Sequence, residues 1–206
     1  MGFIDLDTLL LLAPAFVIAI AVHEACHALA ANLLGDPGPK LEGRLTLNPM
    51  RHLDPLGTLA LLFVGFGWGK PVSVNPWRFR VGPVTGMALV AFAGPLANVL
   101  AAVVIGLPFR LHLFLPDLAM TFLGTAASIN VLLAVFNLIP LPPLDGFSVL
   151  MGVLPRPLAQ GIAPLARYGP AALLSLFALS YVFKVNLIGA LITPPFRILF
   201  PLVVGI

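Results

Sequence analysis

The chain carries little charge. Only 9% of its 206 residues are Asp, Glu, Lys or Arg, against about 25% in a typical soluble domain. Hydrophobic residues make up 60%, and the mean hydropathy is +1.06. That balance excludes an ordinary soluble protein. The net charge of +3 is too small for a nucleic-acid binder. The single cysteine, Cys26, rules out an internal disulfide and any multi-cysteine metal site. Met1–Thr8 has Asp5 and Asp7 but no basic residue, so it does not read as a signal peptide. No repeat, low-complexity tract or second domain is evident, and 1–206 reads as a single integral-membrane domain.

What is present is apolar sequence in stretches of membrane-spanning length. The expected fold is an all-α polytopic membrane protein with about five transmembrane helices, over 4–34, 84–109, 118–139, 169–183 and 187–204. Pro14 is expected to kink the first, and Gly35-Asp36-Pro37-Gly38-Pro39 to end it. Thr193-Pro194-Pro195 and Arg197 interrupt the last, leaving its full crossing open. The connection 36–83 holds Lys40, Arg44, Arg51, Lys70, Arg78 and Arg80 against Asp36, Glu42 and Asp54. As the most basic loop it is placed in the cytoplasm, with 153–168 as a second cytoplasmic loop. Within it, Leu56 to Trp68 is apolar, short and broken by glycine. It reads as a membrane-associated hairpin or re-entrant segment, with Trp68 and Trp77 as interfacial anchors.

The chemistry starts at His23-Glu24-Ala25-Cys26-His27, which follows the uncharged run Leu9 to Val22. Helical spacing puts His23 and His27 on one face, where two imidazoles can bind one metal ion. Glu24 is offset by about 100° from His23, within reach of a water at that metal without being a ligand. Ionisable groups in an apolar span are costly and usually mark function. Cys26 points off the ligand face and is expected to pack. His52 is expected to serve as a loop hydrogen-bonding residue.

A catalytic zinc site of two histidines needs a third ligand, commonly a carboxylate. The other acidic residues lie at the outer end or in the polar loop. Asp145 follows the span 118–139, which returns to the depth of the histidines. Pro140, Pro142 and Pro143 hold its segment out of regular helix. Asp145 is therefore the candidate, capping of a short following helix being its alternative. Asn98 and Asn137 sit in spans, either as site residues or as interhelical hydrogen-bonding glue.

The motifs H-E-A-C-H, A-G-P-L-A-N (93–98) and N-L-I-P-L-P-P-L-D-G (137–146) together resemble the site-2 protease family, peptidase family M50. The loop pieces G-R-L-T-L-N-P-M-R-H-L-D-P-L-G and G-W-G-K-P-V-S-V-N-P resemble its compact prokaryotic members. The resemblance covers about 15–152, with Ser73 standing where many relatives have proline. The type the chain resembles is the one without a PDZ or CBS domain. The resemblance implies an intramembrane zinc metalloprotease with one zinc per chain, bound by His23, His27 and Asp145, and Glu24 as catalytic base. Asn98 and Asn137 would line the site, bind substrate or support an oxyanion. The implied partners are transmembrane substrates and the lipid bilayer. The implied location is the inner membrane, with the site toward the cytoplasm. A zinc-binding membrane protein without proteolysis and a metal transporter are the alternatives.

Overall fold

The computed structural model describes residues 5–64 and 67–205. Asp5 caps the first helix, α1 (Leu6–Leu34), its carboxylate accepting from Thr8 N–H (2.8 Å) and Thr8 Oγ1–H (2.7 Å). Pro14 lies inside α1 without ending it. Gly35 ends it in the left-handed region (φ 117°), while Asp36 N–H returns to Ala31 O. A side chain at 35 would also bring its Cβ to 2.8 Å from Arg78 O.

The loop that follows holds a short helix, α2 (Gly38–Leu41), and 3₁₀ turns at Pro49–Arg51 and Pro76–Arg78. It also holds α3 (Pro55–Val64), a short helix within the stretch 56–68 read as a hairpin or re-entrant segment. The cause is a start signal: Asp54 Oδ1 accepts from Leu56 N–H and Gly57 N–H (2.9 Å each), and Pro55 takes the first helical position. No strand occurs among the described residues; only an isolated antiparallel bridge joins Leu53 to Gly69. Residues 65 and 66 of the expected hairpin lie outside the described residues.

Next come α4 (Pro83–Arg110), α5 (Asp117–Asn137), α6 (Asp145–Val153), α7 (Arg156–Ile162), α8 (Gly169–Val182) and α9 (Leu187–Val204). Residues 153–168, expected as loop, are largely helical: α7 runs through a 3₁₀ segment, Ala163–Tyr168, into α8. Pro157, Pro164 and Pro170 each fall in a first turn, where the missing N–H costs nothing. Among the described residues, five helical stretches are long and apolar enough to cross a membrane: Leu6–Leu34, Pro83–Arg110, Asp117–Asn137, Arg156–Val182 and Leu187–Val204.

Small residues set the packing of α1, α4 and α5. α4 buries Gly86, Val90, Gly94, Asn98, Ala102 and Gly106, a stripe repeating every four residues. α1 answers with Ala15, Ala19, Ala28 and Ala31, and α5 with Ala126, Ala127 and Ala134. Without bulk at the seam the backbones approach closely, which drives helix association in lipid. α9 packs on α4 and α5 and ends beside Arg110, whose Nε–H donates to Val203 O (2.9 Å). Gly169, opening α8, lies against Pro142.

Candidate metal centre and active site

Helical spacing puts His23 and His27 on one face of α1, but α4 aims their rings. His27 Nδ1–H donates to Val90 O (2.7 Å). A carbonyl only accepts, so that ring carries its proton on Nδ1. Asn98 Nδ2 donates to Ala19 O (3.0 Å) and to Asn130 Oδ1 (2.8 Å), so its Oδ1 accepts from His23 Nδ1–H (2.6 Å). Asn130 in turn donates to Ala126 O (2.9 Å). This satisfied network, fully buried at Asn98, ties α1, α4 and α5 together.

Both rings therefore turn Nε2 inward, and in the neutral imidazole that nitrogen is bare. The two Nε2 atoms are 3.0 Å apart, and Asp145 Oδ2 lies 3.1 Å from His23 Nε2 and 3.2 Å from His27 Nε2. With both imidazoles neutral, three electron-pair donors converge there, an arrangement that a cation would stabilise. Zinc takes imidazole nitrogen and carboxylate oxygen at about 2.0–2.2 Å, a radius that suits a triangle of these dimensions. The three residues could hold a metal ion and leave a fourth position open.

Asp145 reaches the histidines because it opens α6 without capping it. Leu144 occupies the cap position, and no side-chain cap bond forms, which removes the capping alternative. Gly146 makes the approach possible: a Cβ there would lie 2.5 Å from Ile139 O, at the end of α5. Gly94 has the matching role on α4. Its missing side chain leaves room for both rings, since a Cβ would stand 2.5 Å from His27 Cε1 and 2.7 Å from His23 Cε1.

Glu24 stays out of the triangle. Its Oε2 is buried and has no hydrogen-bond partner among the described residues. Such an orphan acceptor is costly unless something binds it, and a water at the open metal position would supply the proton it lacks.

Asn98 needs a correction. With both amide hydrogens donated and Oδ1 occupied, it has no donor left for an oxyanion or a substrate; it orients His23 instead. Asn137 donates to Leu133 O on its own helix (3.0 Å). Cys26 is half-buried and outside the cluster. His52 bonds within its loop, Nε2–H donating to Thr46 O (2.7 Å). Residue types could not reveal the Val90 carbonyl, because any residue supplies one.

The loop is anchored by Asp36. Burial pushes its carboxyl pKa up, but the N–H groups of Asn75 (2.6 Å) and Gly38 (3.1 Å) and the Arg78 guanidinium (3.2 Å) outweigh that and hold it below the ordinary value.

The model of "Peptidase family M50" matches residues 115–177. "Putative zinc metalloprotease YwhC" of Bacillus subtilis is 36% identical over 169 residues, covering 78% of this chain and 77% of the relative. The chain belongs to peptidase family M50, the site-2 protease family. "Putative zinc metalloprotease Rip2" of Mycobacterium tuberculosis is 33% identical over 170 residues, 79% of this chain. The chain spans 64% of Rip2's length. No solved structure matches the chain. For an M50 member, the apolar helices make this a multi-pass membrane protein of the metalloprotease type.

Proposed function

We propose that the protein is an intramembrane zinc endopeptidase. It would hold one zinc ion per chain and hydrolyse peptide bonds within or near transmembrane segments of membrane-protein substrates. The observation that carries this reading is the convergence of His23, His27 and Asp145 beside Glu24, an acid outside the triangle with an unpartnered buried oxygen. Zinc bound there supplies Lewis-acid polarisation of the scissile carbonyl and lowers the pKa of water toward ~7. Glu24 takes the proton of the attacking water on its carboxylate and delivers it to the leaving amine. Asn98 and the Val90 carbonyl hold the imidazoles in the tautomer that keeps Nε2 free. Asn137 is the amide with capacity left, since its Oδ1 takes no partner among the described residues, and it suits a substrate backbone N–H. A substrate helix must unwind first, because its own hydrogen bonds shield the peptide group.

His23 stands 11 residues before the end of α1, about 17 Å along the axis. The basic loop begins there, and loops rich in Lys and Arg stay in the cytoplasm. This supports a site toward the cytoplasmic side of the inner membrane.

The test is zinc content together with cleavage of a model transmembrane substrate by purified protein, wild type against Glu24→Gln. The expected result is equal zinc and cleavage reduced at least about a hundredfold in the variant. Wild-type cleavage by Glu24→Gln, or undiminished cleavage by metal-free wild type, overturns the reading.

A further inference from the structure

Besides Asp36, two polar side chains outside the site are buried in the described part of the loop that follows α1. Arg44 is 4% exposed and His52 is fully buried. The Arg44 guanidinium donates to three backbone carbonyls: Arg51 O, Lys70 O, and Pro71 O at 2.9 Å. It thus joins two segments, 51–53 and 69–71, that are far apart in sequence. The same segments pair directly, through the Leu53–Gly69 bridge and Lys70 N–H donating to His52 O (2.7 Å). The His52 imidazole donates to Thr46 O, while its buried Nδ1 has no partner among the described residues. A buried ring nitrogen left unpaired is unfavourable, so the imidazole is retained despite that cost.

This clasp sets the position of Gly69. A Cβ on Gly69 would lie 2.7 Å from Ile20 Cγ2 on α1, 3.1 Å from His52 O and 3.4 Å from Glu24 Oε1. The backbone at Gly69 is therefore the wall against Glu24, on the turn of α1 that carries the His-Glu pair. An orphan carboxylate oxygen lacks a hydrogen bond to fix its rotamer, so packing must do so.

We infer that Arg44 and His52 are positioning residues for Glu24: Arg44 clamps segments 51–53 and 69–71 together, and the His52 imidazole ties 51–53 to Thr46, so that Gly69 holds the carboxylate in its working place. Neither touches the metal ligands, so their loss acts on proton transfer and not on metal binding. A planar fork on three carbonyls suits arginine, and lysine can satisfy only part of it.

The inference rests on the protease reading, and three readouts on one preparation separate the two: zinc per chain, kcat and KM on a transmembrane substrate. Arg44→Ala is expected to keep wild-type zinc and a KM within about twofold while kcat falls about tenfold or more. Arg44→Lys should fall in between, and added methylguanidinium should raise kcat of Arg44→Ala. His52→Gln, which retains a donor for Thr46 O, should stay near wild type, whereas His52→Leu should lose kcat. If Arg44→Ala does not fold, Arg44→Lys and the His52 pair decide: full zinc with graded kcat supports the clasp, and unchanged kcat overturns it. Zinc and kcat lost in proportion also overturn it, since the clasp would then serve only general stability. A wild type that binds zinc and cleaves nothing refutes the protease reading itself.

Discussion

His23 Nδ1–H donates to Asn98 Oδ1 across 2.6 Å, 75 residues apart in sequence and fully buried. This contact decides which ring nitrogen of His23 faces Asp145. On the zinc-protease reading, Asn98 should govern metal affinity without being a ligand. Asn98→Leu is expected to weaken zinc binding about 10- to 100-fold. Competition with a metal chelator measures this directly, and a variant with wild-type affinity would show that the ring is oriented by packing alone.

Gly94 tests the approach of α4 to the rings. In Gly94→Ala the new methyl meets His27 and His23 at separations real Cβ atoms do not adopt, so a ring or the helix must move. Zinc content and cleavage should both be lost, and Gly94→Leu should be no better. Gly43→Ala, where a Cβ meets nothing within 4 Å but the backbone is left-handed (φ 69°), should cost stability alone.

Asp145 separates ligand from helix terminus. Asp145→Asn retains shape and a neutral oxygen but removes the negative charge from the triangle. Zinc occupancy should fall sharply while the helical signal in far-ultraviolet circular dichroism stays unchanged, because the side chain makes no cap bond. Loss of α6 in that variant would contradict the assignment.

Asp36 gives a pH dependence outside the membrane. Its folded-state pKa is below the ordinary value, so its contribution is full above that value and is lost as pH falls through the lowered one. Asp36→Asn should destabilise detergent-solubilised protein by about 1–3 kcal/mol at neutral pH. The gap from wild type should close as pH drops below about 4. A gap constant down to pH 3 would mean the charge of Asp36 contributes nothing.

Much of this was legible in advance because membrane insertion writes itself into composition. The helices at Leu6–Leu34, Pro83–Arg110 and Asp117–Asn137 lie close to the expected bounds, since lipid requires apolar stretches of that length. The spacing of His23 and His27 is a property of the helix itself. The helix α3 inside 56–68 was not legible because apolar length and glycine were weighed above Asp54-Pro55, a local start signal. The helical structure inside the loop 153–168 was not legible because proline there was not weighed as a helix opener.

Asn98 shows where local reading stops. An asparagine in a span can donate to substrate, accept from a ligand or bond a neighbouring helix, and its type is the same in each case. Only the placement of Ala19, Asn130 and His23 around it uses up its capacity. From sequence alone followed the membrane class and the placing of His23 and His27 on one helix face with Glu24 beside them, because period and hydropathy are local quantities. Tertiary structure decided that Asp145 completes the triangle, that Gly94 makes room for it and that Val90 and Asn98 aim the rings. Those are contacts between α1, α4 and α6, held by close packing of small residues, and no local pattern encodes the distance between helices.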